Sequence, residues 1–567
     1  VLRDSQREER VLSMEDNNRQ TLHRELGGRP AIEVWGRRAM VSSMHPQATD
    51  AGLGILRAGG NAVDAALAVA STIAVTSHNW AGLAGDSVWL IHEAANQKTH
   101  HLDGYGTCPA AMTAETLAGR FGLNLERDGP ALKEEPEGIR DTGIVTSLLP
   151  GTPAAWCSAA RRFGTMPLDQ VFDRAILLAR SGVVVTNYLA QSLANHRGKL
   201  AEFSASREIF FHSNGSPLKS GDTLVQSGLG ATLQRLARNG TEEFTHGETA
   251  QAIARQARAR SALLTADDLS EYQPVWREPI QGGYRGLRLV TTGAPTAGIH
   301  VLQALAIVEK FNLAEMPYHG TQALHLLIEA IKLALVDRRR YGGDPDHSPF
   351  ETDALLEGDY VARQAESIDP KRATSRMGDA ASPANETTHF VVVDNQGNIV
   401  SATQTIGRDF GSGEVVEGTG LLLNDRSWWM SLRAGPNAVG PHRRANIGHA
   451  PTMAFDGDRL RLALGSPGGF GIVQYVVQTV INVVDHGFNL QTAIEAPRFR
   501  VNDLETAVGF EARFDAGVIE SLRSMGHQIA TYPDWSDRVG GVEGIESRNG
   551  NLLGGYDPRR NSLALGY

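Results

Sequence analysis

The spacing of apolar and polar positions changes period several times along the chain, and each change marks an element. VSSMHPQATDAGLGILRAGGNAVDAALAVASTIAV, from Val41, reads as a strand followed by two helices. Pro46 and Asp50 stand near the start of the first helix, and Gly59-Gly60 closes it. The second helix is alanine-rich and apolar on almost every face, which predicts burial. Leu148 to Arg260 is mainly of helical period, with loops at Pro150–Pro153 and His212–Pro217. Leu324–Arg340 predicts an amphipathic helix whose last turn holds three arginines, favourable at a helix C-terminus.

Beyond Ser348 the texture shifts. Residues 351–386 are polar, acidic and weakly periodic, and then TTHFVVVDNQGNIVSATQTI predicts two strands joined at Asn395–Asn398. RLRLALGS reads as a further strand, followed by Pro-Gly-Gly and a helix from about Gly471 to Val484. Residues 1–35 read as a polar arm, and Glu126–Asp141 as an exposed loop. With no βαβ repeat, the order of elements predicts a layered sandwich of helices and sheets.

Composition narrows the function classes. The 567 residues suffice for a large core without disulfides, and length alone suggests three or four domains. Lys+Arg 54 against Asp+Glu 64 gives −10, which argues against nucleic acid or an anionic membrane as partner. Glycine is abundant, 61 residues, but lies among apolar segments without a Gly-X-Y period, so it serves turns and close backbone approaches. Two cysteines, Cys108 and Cys157, make neither a disulfide framework nor a cysteine-rich metal site. The first twenty residues are charged and lack an apolar signal core, and no stretch reaches 18 apolar residues; the expectation is a cytoplasmic protein. His100-His101 are adjacent and no HExxH occurs, so no metal is expected.

Two local features invite chemistry. Thr387 opens a strand directly after the polar stretch. Threonine is an ordinary strand residue. Alternatively, cleavage after Glu386 would make Thr387 an N-terminus, with its hydroxyl as nucleophile and its own α-amine (pKa about 7.7–8.0) as base. The second is Gly465-Ser466-Pro467-Gly468-Gly469-Phe470-Gly471, between a strand and a helix. It fits no phosphate-loop spacing. It suits a tight turn, or an oxyanion hole built from backbone N–H groups.

Several collinear runs carry a resemblance. They include RAGGNAVDAALAVA (57–70), LPGTPAAW (149–156), LTADDLSEYQPVWREPI (264–280), GAPTAGIHVLQAL (293–305), TTHFVVVDNQGNIVSATQT (387–405), LALGSPGG (462–469) and GGYDPRRNSLALGY (554–567). Beyond about residue 38 the chain resembles the γ-glutamyltranspeptidases, amidases of the N-terminal-nucleophile hydrolase superfamily. The resemblance implies an α+β fold, a four-layer αββα sandwich. It also implies a precursor cut between Glu386 and Thr387, with a large subunit to residue 386 and a small subunit 387–567. These would stay together as a heterodimer, and two heterodimers could pair. Thr387 matches the nucleophile, Thr405 the threonine that orients it, and Gly468 and Gly469 the oxyanion hole. No cofactor is implied, and the substrate would be a small-molecule amide cleaved through an acyl-enzyme.

The resemblance breaks down at substrate recognition. Tyr105 stands where the family's Arg grips the substrate α-carboxylate, and Trp429 where an Asp meets its α-amine. Gly448-His449 replace an adjacent-serine pair, and Gly407 replaces an Asn. The stretch from Trp429 to Asn437 is short, which predicts a more open site. Burying a zwitterion without charged partners is costly. The expectation is an acyl group other than γ-glutamyl, contacted by Tyr105, Asn424, Trp429 and Gly448, with Arg408 and Arg426 available for a carboxylate. Two alternatives stay open: a γ-glutamyl hydrolase or transferase with relocated anchors, and a non-catalytic binding protein of the same fold.

Overall fold

The computed structural model describes residues 32–122, 142–348, 352–374, 387–502 and 507–567. Most of the expected N-terminal arm, the Glu126–Asp141 loop and Glu386 lie outside the described residues. Val34–Gly36 already forms an edge strand, paired with Leu552–Gly554. Its partner lies at the other end of the chain, so local polarity carries no sign of the pairing.

Among the described residues, two seven-stranded sheets form the centre. The first runs Leu563–Gly566, Met40–Ser43, Thr388–Val393, Ile399–Thr405, Asp86–Glu93, Lys98–Gly104 and Val275–Arg277. The second runs Val34–Gly36, Asn551–Gly555, Glu543–Arg548, Arg459–Gly465, Thr452–Asp456, Leu287–Thr291 and Ile280–Tyr284. Both are antiparallel throughout.

Strand alternation explains why the sheets stack. Successive side chains face opposite ways. Val391, Val393 and Ile399 join Met453, Phe455, Ala463 and Ile545 in an apolar layer between the sheets. Phe390, Val392, Val400 and Ala402 point outward, onto helices Pro46–Arg57, Ala62–Thr76 and Thr152–Phe163. Outside the second sheet pack Gly298–Val308, Thr321–Tyr341 and Ile472–Val484. The result is the expected αββα sandwich.

Local signals match the elements they predicted. Ala62–Thr76 is buried along its whole length and opens with a capping box between Asn61 and Asp64. The hairpin turns at Asp394, whose carboxylate accepts from the backbone N–H of Gln396 and Asn398. Two readings need correction. Thr321–Tyr341 is exposed only near its ends, at Gln322, Arg339 and Arg340, because the polar residues between find buried partners: Glu329 with Lys332 at 2.8 Å, and Asp337 with Tyr360 at 2.7 Å. The weakly periodic stretch after 351 contains a helix, Gly358–Glu366.

The last strands are fastened by a buried ionic cluster. Asp557 accepts from Arg498, from the Arg559 backbone and side chain, and from the Val542 N–H at 2.8 Å. Burial alone would raise its pKa, but Arg498 and Arg559 outweigh it and hold the carboxyl at about 2. A depressed folded pKa stabilises the fold above the unfolded value and loses that contribution as pH falls from about 4 towards 2. Asp557→Asn is therefore expected to lower unfolding free energy at pH 7 by about 3 kcal/mol, since Arg498 is left buried without its partner. The gap between variant and wild type should close as pH approaches 2; urea titrations across pH measure it.

Candidate active site

The Thr388–Val393 and Ile399–Thr405 strands pair antiparallel, with Thr388 opposite Gln404. One step further along that register puts Thr387 opposite Thr405. The eighteen-residue spacing seen in the sequence is thus the length of a hairpin returning to its start. Both residues face the gap between the sheets, as His389 and Thr403 do; His389 Nδ1 lies 2.8 Å from Thr403 Oγ1. Thr387 is 3% exposed. Thr405 Oγ1 accepts from the Gly407 N–H at 3.0 Å, which fixes its rotamer. Burial pushes His389 down to about 3, so a neutral imidazole lies beneath the threonine pair.

The second sheet brings the glycine loop to the same end. A Cβ on Gly465 would fall 2.3 Å from His389 Cε1, so the strand ends directly against the Thr388 strand. The chain then turns through Gly468 and Gly469, at φ +120° and +58°, conformations that side-chain-bearing residues rarely adopt. It enters the Ile472–Val484 helix, whose N-terminal end favours negative charge. Gly448 packs on this loop so closely that a Cβ would fall 2.0 Å from the Gly469 carbonyl oxygen. Gly468 lies 81 residues beyond Thr387 in sequence, and the approach of Gly465 to His389 brings its loop to the end of the hairpin where Thr387 and Thr405 stand.

Beside the glycine loop, which includes Phe470, lies a buried aromatic cluster. Tyr105, Leu148, Trp429, Met430, Ile447 and Phe470 belong to one buried cluster. Trp429 meets Phe470 edge-on at 4.9 Å. Tyr105 is fully buried, and its hydroxyl lies 2.6 Å from His449 Nδ1. Burial raises the tyrosine pKa well above its usual value and lowers that of His449 well below its own, so both are neutral. The expected open site is covered in this region: Trp429 is buried, and Asn437 Nδ2 donates to its carbonyl at 2.8 Å.

Neither candidate arginine is a surface residue. Arg426 Nε donates to Asp86 Oδ2 at 2.5 Å, while Asp86 Oδ1 accepts from the Gly106 N–H at 2.7 Å. Its guanidinium lies 5.6 Å from the Trp429 ring. Arg408 donates to Asp425 at 3.1 Å and stacks over Trp428 at 4.2 Å. Asp425 also fills the space at Gly407, where a Cβ would fall 1.7 Å from its Oδ1. Asn424 is committed to the scaffold: its Nδ2 donates to the Ala84 and Leu148 carbonyls, and its Oδ1 accepts from the N–H of Leu148 and Arg426.

The residue that sequence reading passed over is His449, identified there only as part of a lost serine pair. A second missed group lies elsewhere. His325 and Glu329, one helical turn apart, and His527 place ligand atoms within 4.8 Å of one another. The i,i+4 spacing was visible in the sequence. Their ligand atoms are engaged within the protein: Glu329 by Lys332 and Thr374, and His325 by His527 and the Asp369 carbonyl.

Comparison with known proteins agrees with this geometry. The family model described as gamma-glutamyltranspeptidase matches residues 48–567. The glutathione hydrolase proenzyme of Escherichia coli (strain K12) is 34% identical, over 94% of this chain and 93% of that protein. The acylase ACY 1 proenzyme of Pseudomonas sp. (strain SE83) is 33% identical, over 92% of each. The cephalosporin acylase from Bacillus halodurans superposes with a TM-score of 0.86 at 29% identity, covering 95% of this chain and 98% of that one. The chain belongs to the γ-glutamyltranspeptidase family, amide hydrolases with the N-terminal-nucleophile fold.

Proposed function

We propose that the chain is cleaved autocatalytically between Glu386 and Thr387 and then hydrolyses the amide of a small acyl group other than γ-glutamyl. In this reading residues 36–386 and 387–567 become two subunits that remain together. The Thr387 amine takes the hydroxyl proton and the oxygen attacks the amide carbon. The Gly468 and Gly469 N–H groups receive the oxyanion, the amine leaves with a proton, and water resolves the acyl-enzyme. Support for self-processing comes from the proenzyme names of the E. coli and Pseudomonas relatives and from the hairpin register, which, extended by one residue from Thr388–Gln404, sets Thr387 beside Thr405.

The observation that carries the substrate reading is the aromatic cluster of Tyr105, Trp429 and Phe470 beside the glycine loop, where the family's charged anchors would stand. Among the described residues, the carboxylates of Asp86 and Asp425 near this cluster are already paired, with Arg426 and Arg408. The similarity to a glutathione hydrolase at 34% identity favours a second reading, a γ-glutamyl enzyme with displaced anchors. Turnover of γ-glutamyl-4-nitroanilide against simple acyl 4-nitroanilides separates the two. The proposal expects kcat/KM for the best acyl anilide to exceed the γ-glutamyl compound by at least about tenfold, the worth of one unpaired charge or lost hydrogen bond. Efficient turnover of the γ-glutamyl anilide alone supports the second reading instead.

A further inference from the structure

Buried polar atoms in folded proteins are nearly always paired, so those left over ask for a partner. Among such atoms beside the aromatic cluster are His449 Nε2 and Arg426 Nη2, both buried and without a hydrogen-bond partner in the protein. Both belong to donor groups. Arg426 has no acceptor capacity at all. For His449 the tautomer follows from Tyr105. The phenol keeps its proton in this buried setting, and its hydroxyl makes one side-chain hydrogen bond, to His449 Nδ1 at 2.6 Å. Tyr105 O–H therefore donates to Nδ1, and the proton of the neutral imidazole sits on Nε2, on the opposite side of the ring.

The placement ties this donor to the reaction. His449 follows Gly448, which lies against the Gly469 carbonyl, and its own carbonyl accepts from the Ala297 N–H at 2.9 Å. The backbone on both sides of the ring is thus locked to the glycine loop and to the start of the Gly298–Val308 helix. The charged and titratable groups around the ring are Arg426, His389 and Arg338. None of them offers a carboxylate. His389, neutral, is bonded to Thr403 and Ser401.

Resting on the amide-hydrolase reading above, we infer that His449 determines specificity: its Nε2–H, together with Arg426 Nη2, receives an oxygen carried by the acyl chain, with a carboxylate as the favoured class and no accompanying ammonium. Tyr105 is the positioning residue that holds the imidazole in the donating tautomer. A hydrocarbon acyl chain would leave both donors buried and unpaired, which is how a polar site discriminates.

The test uses the purified full-length protein and two matched pairs of 4-nitroanilides: succinyl with butyryl, and glutaryl with pentanoyl. Within the better pair the carboxylated substrate is expected to have at least about tenfold higher kcat/KM. His449→Phe keeps the ring size and removes the donor. It should bring that ratio to about 1–3, chiefly through KM of the carboxylated substrate, with the uncharged anilide changed by less than about threefold. Tyr105→Phe, which frees the tautomer, should give an intermediate ratio. Equal losses for both members of a pair in His449→Phe mark a packing role and overturn the inference, as does a wild-type ratio near 1. Calorimetric titration of the wild type with glutarate and with pentanoate is independent of turnover and of how the variants fold. Preferential binding of glutarate supports the inference even if no anilide is hydrolysed, an outcome that would sink the amide-hydrolase reading alone. Equal or no binding of the two overturns it.

Discussion

Thr387→Ala is expected to remain one 567-residue chain and to hydrolyse amides at least roughly 10⁴-fold more slowly than the wild type, the scale seen when a covalent nucleophile is removed. Thr387 does two jobs in the account, and alanine ends both. Before cleavage its hydroxyl attacks the preceding carbonyl; afterwards it attacks substrate. Thr387→Ser separates them, since serine keeps the hydroxyl and loses only the methyl. It should still be cut and should retain measurable turnover. Folding is not at stake in either variant, because the core of this strand is made by Phe390–Val393 and not by Thr387. Gel mobility and anilide hydrolysis read the two effects side by side.

The second large effect is expected at Gly448, through its packing on the glycine loop. Gly448→Ala adds one methyl, but that methyl would fall 2.0 Å from the Gly469 carbonyl oxygen and 2.8 Å from its carbon, backbone atoms that have no rotamer by which to escape. The loop must move, and with it the Gly468 and Gly469 N–H groups. Losing one oxyanion donor costs about 10²–10³-fold in kcat. The expected result is a loss of that size in kcat with KM changed little, in a protein whose thermal unfolding remains cooperative. A purely structural glycine would instead lower stability and leave kcat of the folded fraction intact.

The pH dependence follows from the same machinery. In the proposed mechanism the neutral α-amine of Thr387 is the base, so kcat/KM should rise with pH through an apparent pKa near 8. Histidine does not supply that limb: burial lowers His389 to about 3 and takes His449 well below its usual range.

Much of the fold was legible because its signals are local. The all-apolar Ala62–Thr76 helix, the hairpin around Asn395–Asn398 and the Pro-Gly-Gly break before Ile472 each carry their own pattern within a few residues. The proposed threonine pair was also local, since Thr387 and Thr405 are opposite ends of one hairpin. What was hidden depends on long-range contacts. Tyr105 and His449 are 344 residues apart, and Arg426 and Asp86 are 340 apart. No periodicity marks such pairs, so Arg426 read as an available cation and His449 as a missing serine. The same reason explains the Thr321–Tyr341 helix. Glu329, Lys332 and Asp337 look solvated in sequence and are buried because Thr374, Gln303 and Tyr360 reach them from other segments.

The central claim is that this chain works with a threonine at a new N-terminus. Intact-mass analysis of the active protein, with sequencing of every N-terminus it contains, tests that claim most directly. The account predicts two polypeptides whose break lies between Glu386 and Thr387, one of them beginning Thr-Thr-His-Phe. An undivided chain that hydrolyses amides at full rate, or an active protein cut only elsewhere, would contradict it.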